Sequence, residues 1–236
     1  MTLHSTTDKA GYRQHLTPVA SGKDGGGRIA EQIRLLPWYA GCRAICVTPA
    51  RLLDQTRINA LIDGKILVVP GPGFEEGFYV LPPEAVPQGR RKLATTTRGI
   101  VQFGKRLGGV EDLRGAPVSL FVTDCLAVDE RGVLLGDGNG FADLAPALLG
   151  QIGCLDRAAE AVSVGDDRQL VAGQLPSDPW DLRVRAFVSG TRTHIFSESP
   201  PVGACMEIYW DSLPFKRIRK IGILWRLHHQ RMPPLP

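Results

Sequence analysis

Lys65-Ile66-Leu67-Val68-Val69-Pro70 is the stretch whose reading sets the class of fold. Its apolar run leaves no polar face, so a strand here is covered on both sides, as strands of parallel sheets are. Upstream, Gly64 stops a helix that opens at Pro49 and carries Ile58, Leu61 and Ile62 on one face. Before it, Ala44-Ile45-Cys46-Val47 reads as a short buried strand. An earlier helix is expected from about Arg28, with Ile29, Ile33 and Leu36 at helical spacing and Pro37 as its end.

Downstream the alternation continues. Phe78-Tyr79-Val80-Leu81 is a strand before a proline-rich loop, and Gly99 to Lys105 is a brief helix or a loop. Val118-Ser119-Leu120-Phe121-Val122 is another buried strand, and Ala142 to Leu149 is a helix after a glycine-rich loop. Glu160 to Val164, Gln169 to Ala172, Val184 to Val188 and Ile208 to Trp210 complete the expected strands. This order predicts an α/β three-layer sandwich with a mostly parallel central sheet, and ligands at the carboxyl ends of its strands. Residues 1–27 are expected to be a loose tail, 28–228 one α/β domain, and 229–236 a second tail with a frayed Pro233-Pro234-Leu235-Pro236.

The chain of 236 residues is 43% hydrophobic and 22% charged, with a net charge of +4. Its basic runs, Arg90-Arg91-Lys92 and Lys216-Arg217-Ile218-Arg219-Lys220, read as solvated surface, and nucleic-acid contact is not expected. Five cysteines occur without a CxxC pair, which argues against zinc and for free thiols in a reducing compartment. No apolar run approaches the roughly 18 residues of a membrane span, and no secretory h-region is seen. The expectation is a cytoplasmic protein with small-molecule partners. Nothing in the sequence sets an oligomeric state.

The segment that carries chemistry is Leu135-Gly136-Asp137-Gly138-Asn139-Gly140-Phe141-Ala142-Asp143-Leu144. Glycines at alternate positions permit left-handed backbone and close approach to a ligand. Amides of the loop and of the following helix start can cradle a phosphate. Asp143, in the first turn, suits the helix dipole and a magnesium ion shared with phosphates. A plain tight loop with a helix N-terminal carboxylate accounts for the same residues. The segment is neither a Walker loop nor a dinucleotide fingerprint, because no Gly-Lys-Ser/Thr follows and the glycine spacing differs.

At this loop the sequence resembles the 5-formyltetrahydrofolate cyclo-ligases, or methenyltetrahydrofolate synthetases, whose signature reads Arg-Leu-Gly-Tyr-Gly-Gly-Gly-Tyr-Tyr-Asp-Arg. Ala127-Val128-Asp129 stands where that signature is preceded by Ala-Phe-Asp. Gly136 to Leu144 is more similar to the methenyltetrahydrofolate synthase domain-containing branch, with Gly-x-Gly-x-Gly-Tyr/Phe-Ala-Asp-Leu. Further colinear similarities are Gly64-Lys65 before its strand, Gly77-Phe78 through Pro82-Pro83, Gln174 to Asp181, and Ile208-Tyr209-Trp210-Asp211-Ser212-Leu213.

The resemblance implies a fold similar to sugar-phosphate isomerases and CoA transferases. It implies ATP- and magnesium-dependent closure of 5-formyltetrahydrofolate to 5,10-methenyltetrahydrofolate, through phosphorylation of the formyl oxygen. Gly136, Asp137, Gly138, Asn139 and Gly140 would form the nucleotide loop, with Asp143 for magnesium. Lys65 is a candidate for a phosphate, or an exposed strand end. Phe78 and Tyr79 are candidates for a pterin pocket, or core. Asp181 is a candidate folate-site or structural carboxylate.

Both arginines flanking the signature are replaced here, by Leu134 and Leu144, which removes two phosphate donors. Asp137 adds a like charge beside the expected triphosphate. Arg13, Lys23 and Arg28 are the cations available to compensate. Two readings stay open: an ATP-dependent cyclo-ligase, or a catalytically degenerate paralogue that binds a nucleotide or folate-like ligand or serves a protein partner.

Overall fold

The computed structural model describes residues 8–16 and 25–231. The expectations for 1–7, 17–24 and 232–236, the terminal prolines included, lie outside the described residues.

Eight strands form one sheet in the order β10-β9-β8-β5-β1-β2-β3-β4, where β1 is Ala44–Val47, β2 Ile66–Pro70, β3 Phe78–Leu81, β4 Lys105–Arg106, β5 Val118–Asp124, β8 Leu155–Val164, β9 Ala186–Val188 and β10 Thr193–Ile195. The neighbours β2-β1-β5-β8-β9 are all parallel, and antiparallel strands close both edges. A separate hairpin joins β6 (Ala127–Val128) to β7 (Leu134–Leu135).

Side chains of the parallel strands alternate between two cores, as period-2 geometry requires. Ala44, Cys46, Ile66, Val68 and Phe187 belong to one. Ile45, Val47, Leu67, Val69 and Val188 belong to the other. Strand β5 changes phase. Ala44 pairs with Val118 and Ile45 with Leu120, so Ser119 is an extra residue on that side. Val118 and Phe121 therefore share one face, and Leu120 and Val122 the other.

Helices α2 (Gly25–Arg34), α3 (Pro37–Gly41), α4 (Asp54–Ile62), α5 (Arg91–Ala94) and α6 (Thr97–Phe103) bury Ile29, Ile33, Tyr39, Leu61, Ala94 and Ile100 on the second core. Helices α7 (Phe141–Gln151), α8 (Val202–Cys205), α9 (Phe215–Lys220) and α10 (Gly222–Arg231) bury Ala145, Leu148, Val202, Ile218 and Leu224 on the first. The molecule is thus the expected three-layer α/β sandwich. No described helix is long and apolar enough to cross a membrane.

Several expected elements differ. Within the expected tail, Lys9–His15 forms helix α1, because Asp8 caps it through the Gly11 amide at 2.8 Å. Tyr12 of this helix is buried with Ala127, Val133, Leu135 and Leu175. One aromatic anchor outweighs the polar composition that suggested a loose segment. Gln169 to Ala172 is not a strand. The Gln169 side chain donates to the Cys125 carbonyl at 2.5 Å and accepts from the Asp166 amide at 2.7 Å, so its polar bonds close a turn. At Ile208 to Trp210 the chain begins a single 3-10 turn, Trp210–Ser212, in place of a strand.

The chain leaves β1 toward β2 on one side, while β5, β8 and β9 extend on the other. The carboxyl ends of β1 and β5 thus flank a topological switch point, where open α/β sheets bind ligands.

Candidate functional site

The glycine loop leaves the hairpin at Leu135 and enters α7 at Phe141. Gly138 and Gly140 have φ of 90° and 79°, left-handed values that other residues adopt only with strain. Between them, the Asn139 amide donates to Asp137 Oδ1 at 2.8 Å, and Asn139 Nδ2 donates to Asp137 Oδ2 at 2.7 Å. One donor of the expected phosphate cradle is therefore engaged by the loop's own carboxylate.

Two arginines from distant elements hold the loop's carbonyls. Arg13 Nε of α1 donates to Gly136 O at 2.9 Å. The Arg217 guanidinium of α9 donates to Asn139 O. A Cβ on Gly140 would meet that guanidinium, so a side chain there would displace Arg217 as well as strain the backbone. Neither arginine forms an ion pair with a carboxylate among the described residues.

Beside the loop lies a cleft of about 280 Å³, lined by Lys9, Arg13, Asp143, Trp180, Tyr209 and Arg217 among others. Lys9 sits between Asp178 and Asp181, 2.5 Å from each. Trp180 stacks at a tilt on Tyr209, with centroids 5.6 Å apart. Asp143 forms part of the wall, and its Oδ1 accepts from the Leu182 amide at 3.0 Å. Burial pushes its carboxyl up to about 6; the Leu182 N–H opposes the shift, Asp181 adds to it, and Lys9 and Arg13 oppose it.

On the other flank of the loop, a crevice of about 100 Å³ opens at the carboxyl end of β5, lined by Thr123, Asp124, Asp137 and Phe141. An apolar recess of about 220 Å³ adjoins it, lined by Pro49, Pro70, Pro72, Thr97, Ile100 and Phe141. Phe141 serves both spaces and packs on Phe74 at 5.4 Å. These are the switch-point positions.

The structure brings Gly136, Asp137, Gly138, Asn139, Gly140, Asp143 and Asp181 to one region, and it puts Lys65 at the opposite end of the sheet and Phe78 and Tyr79 in the core. Lys65 precedes β2, at the amino ends of the parallel strands, a full strand length from the loop, or roughly 15 Å at about 3.3 Å per residue. It is buried, donates to Cys42 O at 2.9 Å and lies 4.4 Å from the Tyr39 ring centroid. These neighbours make it a structural cation, neither a phosphate contact nor an exposed strand end. Phe78 packs edge-on against Phe74 in the first core, and Tyr79 lies in the second with its hydroxyl on Glu76. Both are core residues, because a strand between two helical layers turns every side chain inward.

Sequence reasoning missed Lys9, Trp180, Tyr209 and Arg217. Lys9 and Arg13 stand four residues apart behind a capping aspartate, the spacing that puts two cations on one helix face. Of the compensating cations named above, Arg13 reaches the loop. Arg28 lies near Gly190, and Lys23 is outside the described residues.

Among the described residues, no group of three or more His, Cys, Asp or Glu side chains is arranged to hold a metal ion. A magnesium ion on Asp143 would have to share its coordination with phosphate oxygens, its usual habit.

The fold is an α/β sandwich with a mostly parallel sheet, and its glycine loop lies between a charged cleft and a crevice at the switch point. Residues 17–190 match the 5-formyltetrahydrofolate cyclo-ligase family, and the chain belongs to it. Among curated relatives it is similar to methenyltetrahydrofolate synthase domain-containing proteins, 27% identical to that of Bos taurus over 87% of this chain and 54% of the relative. The Danio rerio relative is 29% identical over 86% of this chain and 53% of its own. The chain thus spans about half the length of the curated relatives it matches. Among solved structures, the 5,10-methenyltetrahydrofolate synthetase of Aquifex aeolicus superposes with a TM-score of 0.53 at 16% identity, covering 87% of this chain and 99% of that one. That of Mycoplasma pneumoniae gives 0.51 at 13% identity, covering 78% and 99%. At such identities these two establish the shared fold.

Proposed function

We propose that the chain is an ATP- and magnesium-dependent cyclo-ligase that closes 5-formyltetrahydrofolate to 5,10-methenyltetrahydrofolate. The observation that carries this reading is the convergence of Arg13 and the left-handed glycines on one cleft at the carboxyl end of the parallel sheet. When bound, ATP supplies the phosphoryl group that activates the formyl oxygen, and magnesium supplies neutralising charge.

The donor set fits a triphosphate. Arg13 brings a guanidinium with no carboxylate partner among the described residues, whereas Lys9, one turn before it on the same face, is already paired with Asp178 and Asp181. Asp143, in the first turn of α7, would offer one oxygen to a shared metal. Phe141, Ile100 and Pro70 give the adjoining recess an apolar wall suited to a flat ring system. The roles are divided across the loop: charge on one flank and ring contact on the other.

Asp137 favours a second reading. Its carboxylate already holds the Asn139 amide, and the buried Leu134 and Leu144 offer no charge to the loop. A paralogue that binds a nucleotide or folate-like ligand without turnover would tolerate both features.

Purified protein with magnesium, ATP and 5-formyltetrahydrofolate is expected to develop methenyltetrahydrofolate absorbance. Asp143→Ala is expected to weaken ATP binding in a magnesium-dependent way in calorimetry. Absence of absorbance selects the second reading; no heat on adding ATP as well removes its nucleotide-binding form and leaves the paralogue that binds a folate-like ligand or serves a protein partner.

A further inference from the structure

We propose that Arg217 is a phosphate-binding residue of this cleft, supplied from α9 in place of the arginines that Leu134 and Leu144 replace. This rests on the nucleotide reading given above and adds to it a residue outside the family match, which ends at residue 190.

The loop cannot provide the missing charge itself. Leu134 and Leu144 are both buried in the first core, where an arginine would carry an unpaired charge out of water. Arg217 approaches from the solvent side of the same loop. Its guanidinium donates to Asn139 O and lies against Gly140, on the surface that a Cβ would fill. It also lines the cleft together with Lys9, Arg13 and Asp143.

Its position is fixed by the fold. Ile218, the next residue, is buried in the first core. The following turn is tied down where the Gly222 amide donates to Glu75 O at 2.9 Å and Lys220 pairs with Glu75 at 3.3 Å. Arg217 is thus presented to the loop by packing rather than by an ion pair.

The electrostatics distinguish Arg217 from Lys9. Two aspartates neutralise Lys9, whereas Arg217 forms no carboxylate pair among the described residues. A bond to a neutral carbonyl leaves its charge uncompensated, and a guanidinium has five donors, so the Asn139 bond leaves capacity for an anion. The planar fork suits phosphate oxygens, and the left-handed glycines beneath it allow them close approach.

Isothermal calorimetry on the full chain tests this with magnesium-ATP and, separately, with inorganic tripolyphosphate. Arg217→Ala is expected to lower affinity for both by at least about tenfold. Arg217→Lys should recover part of the loss, and Arg219→Ala, an exposed cation on the same helix, should bind like the unaltered protein. Should Arg217→Ala fail to fold, Arg217→Gln removes the charge while keeping a polar amide; it should show the same loss. Unaltered affinity in a folded Arg217 variant overturns the assignment while the nucleotide reading stands. Equal losses in the Arg217 and Arg219 variants overturn it as well, because they report diffuse surface charge. If the unaltered protein binds neither probe, the nucleotide reading falls and this assignment with it.

Discussion

At the amino ends of the parallel strands Lys65 is enclosed, its ammonium spent on the Cys42 carbonyl and the Tyr39 ring. At the carboxyl ends Arg13 and Arg217 hold only loop carbonyls and face a cleft. All are cations beside short bends, yet one is sealed into the fold and the others line an open cleft. What separates them is the direction of the strands, since parallel strands bring their strand-to-helix loops to one end and their helix-to-strand loops to the other.

The sharpest way to break this contrast is Lys65→Ala. It leaves a buried carbonyl without its donor and removes a cation–π contact, and is expected to cost about 3 kcal/mol of stability in urea unfolding. ATP affinity should not change. A loss of affinity in a fully folded variant would return Lys65 to the site.

Asp143 gives the next effect. Its carboxyl is held near 6, above the ordinary value of 3.8, so the folded state binds the proton more tightly than the unfolded chain. In magnesium-free buffer its contribution to stability should therefore be greatest below about pH 4, fall as pH rises through 6, and level off above, seen as the difference between the unaltered protein and a variant lacking the carboxyl. Asp143→Asn keeps an acceptor for Leu182, and is expected to add roughly 2 kcal/mol at pH 7 and flatten that slope. A variant with the slope intact would assign it to another group.

Arg13→Ala should weaken ATP binding about tenfold, or ~1.4 kcal/mol, with little change in melting temperature. A large drop in melting temperature with unaltered affinity would make Arg13 the counterpart of Lys65. The smallest effect is expected from Asp137→Asn. It removes the loop's negative charge while keeping an acceptor for the Asn139 amide, and should tighten ATP binding severalfold at low salt and less at high salt. Weaker binding would mean that the carboxylate assists the ligand.

The central sheet was legible because its strands announce themselves. Ile66 to Pro70 is apolar on both faces, and so is Val118 to Val122 apart from Ser119, as strands of a covered parallel sheet are. The glycine loop was legible because alternate glycines before a helix have few structural uses. The cationic half of the cleft was not, since Arg13 and Arg217 are separated by 204 positions and meet only through tertiary packing. Lys65 misled for a related reason: a lysine next to an apolar strand looks the same at either end of the sheet. Helix α1 escaped because its single buried anchor, Tyr12, sits among polar neighbours that blur any periodicity.

The extra residue at Ser119 uncouples two properties of the central strand. Upstream, the connection into β5 has its own length; downstream, Thr123 and Asp124 must reach the rim with a set orientation. In an unbroken strand each added residue would rotate everything after it by half a turn. Here the surplus is absorbed near the strand's start, so the rim keeps its aim however that connection is counted. Grafting this loop onto another scaffold would require carrying the irregularity along with it.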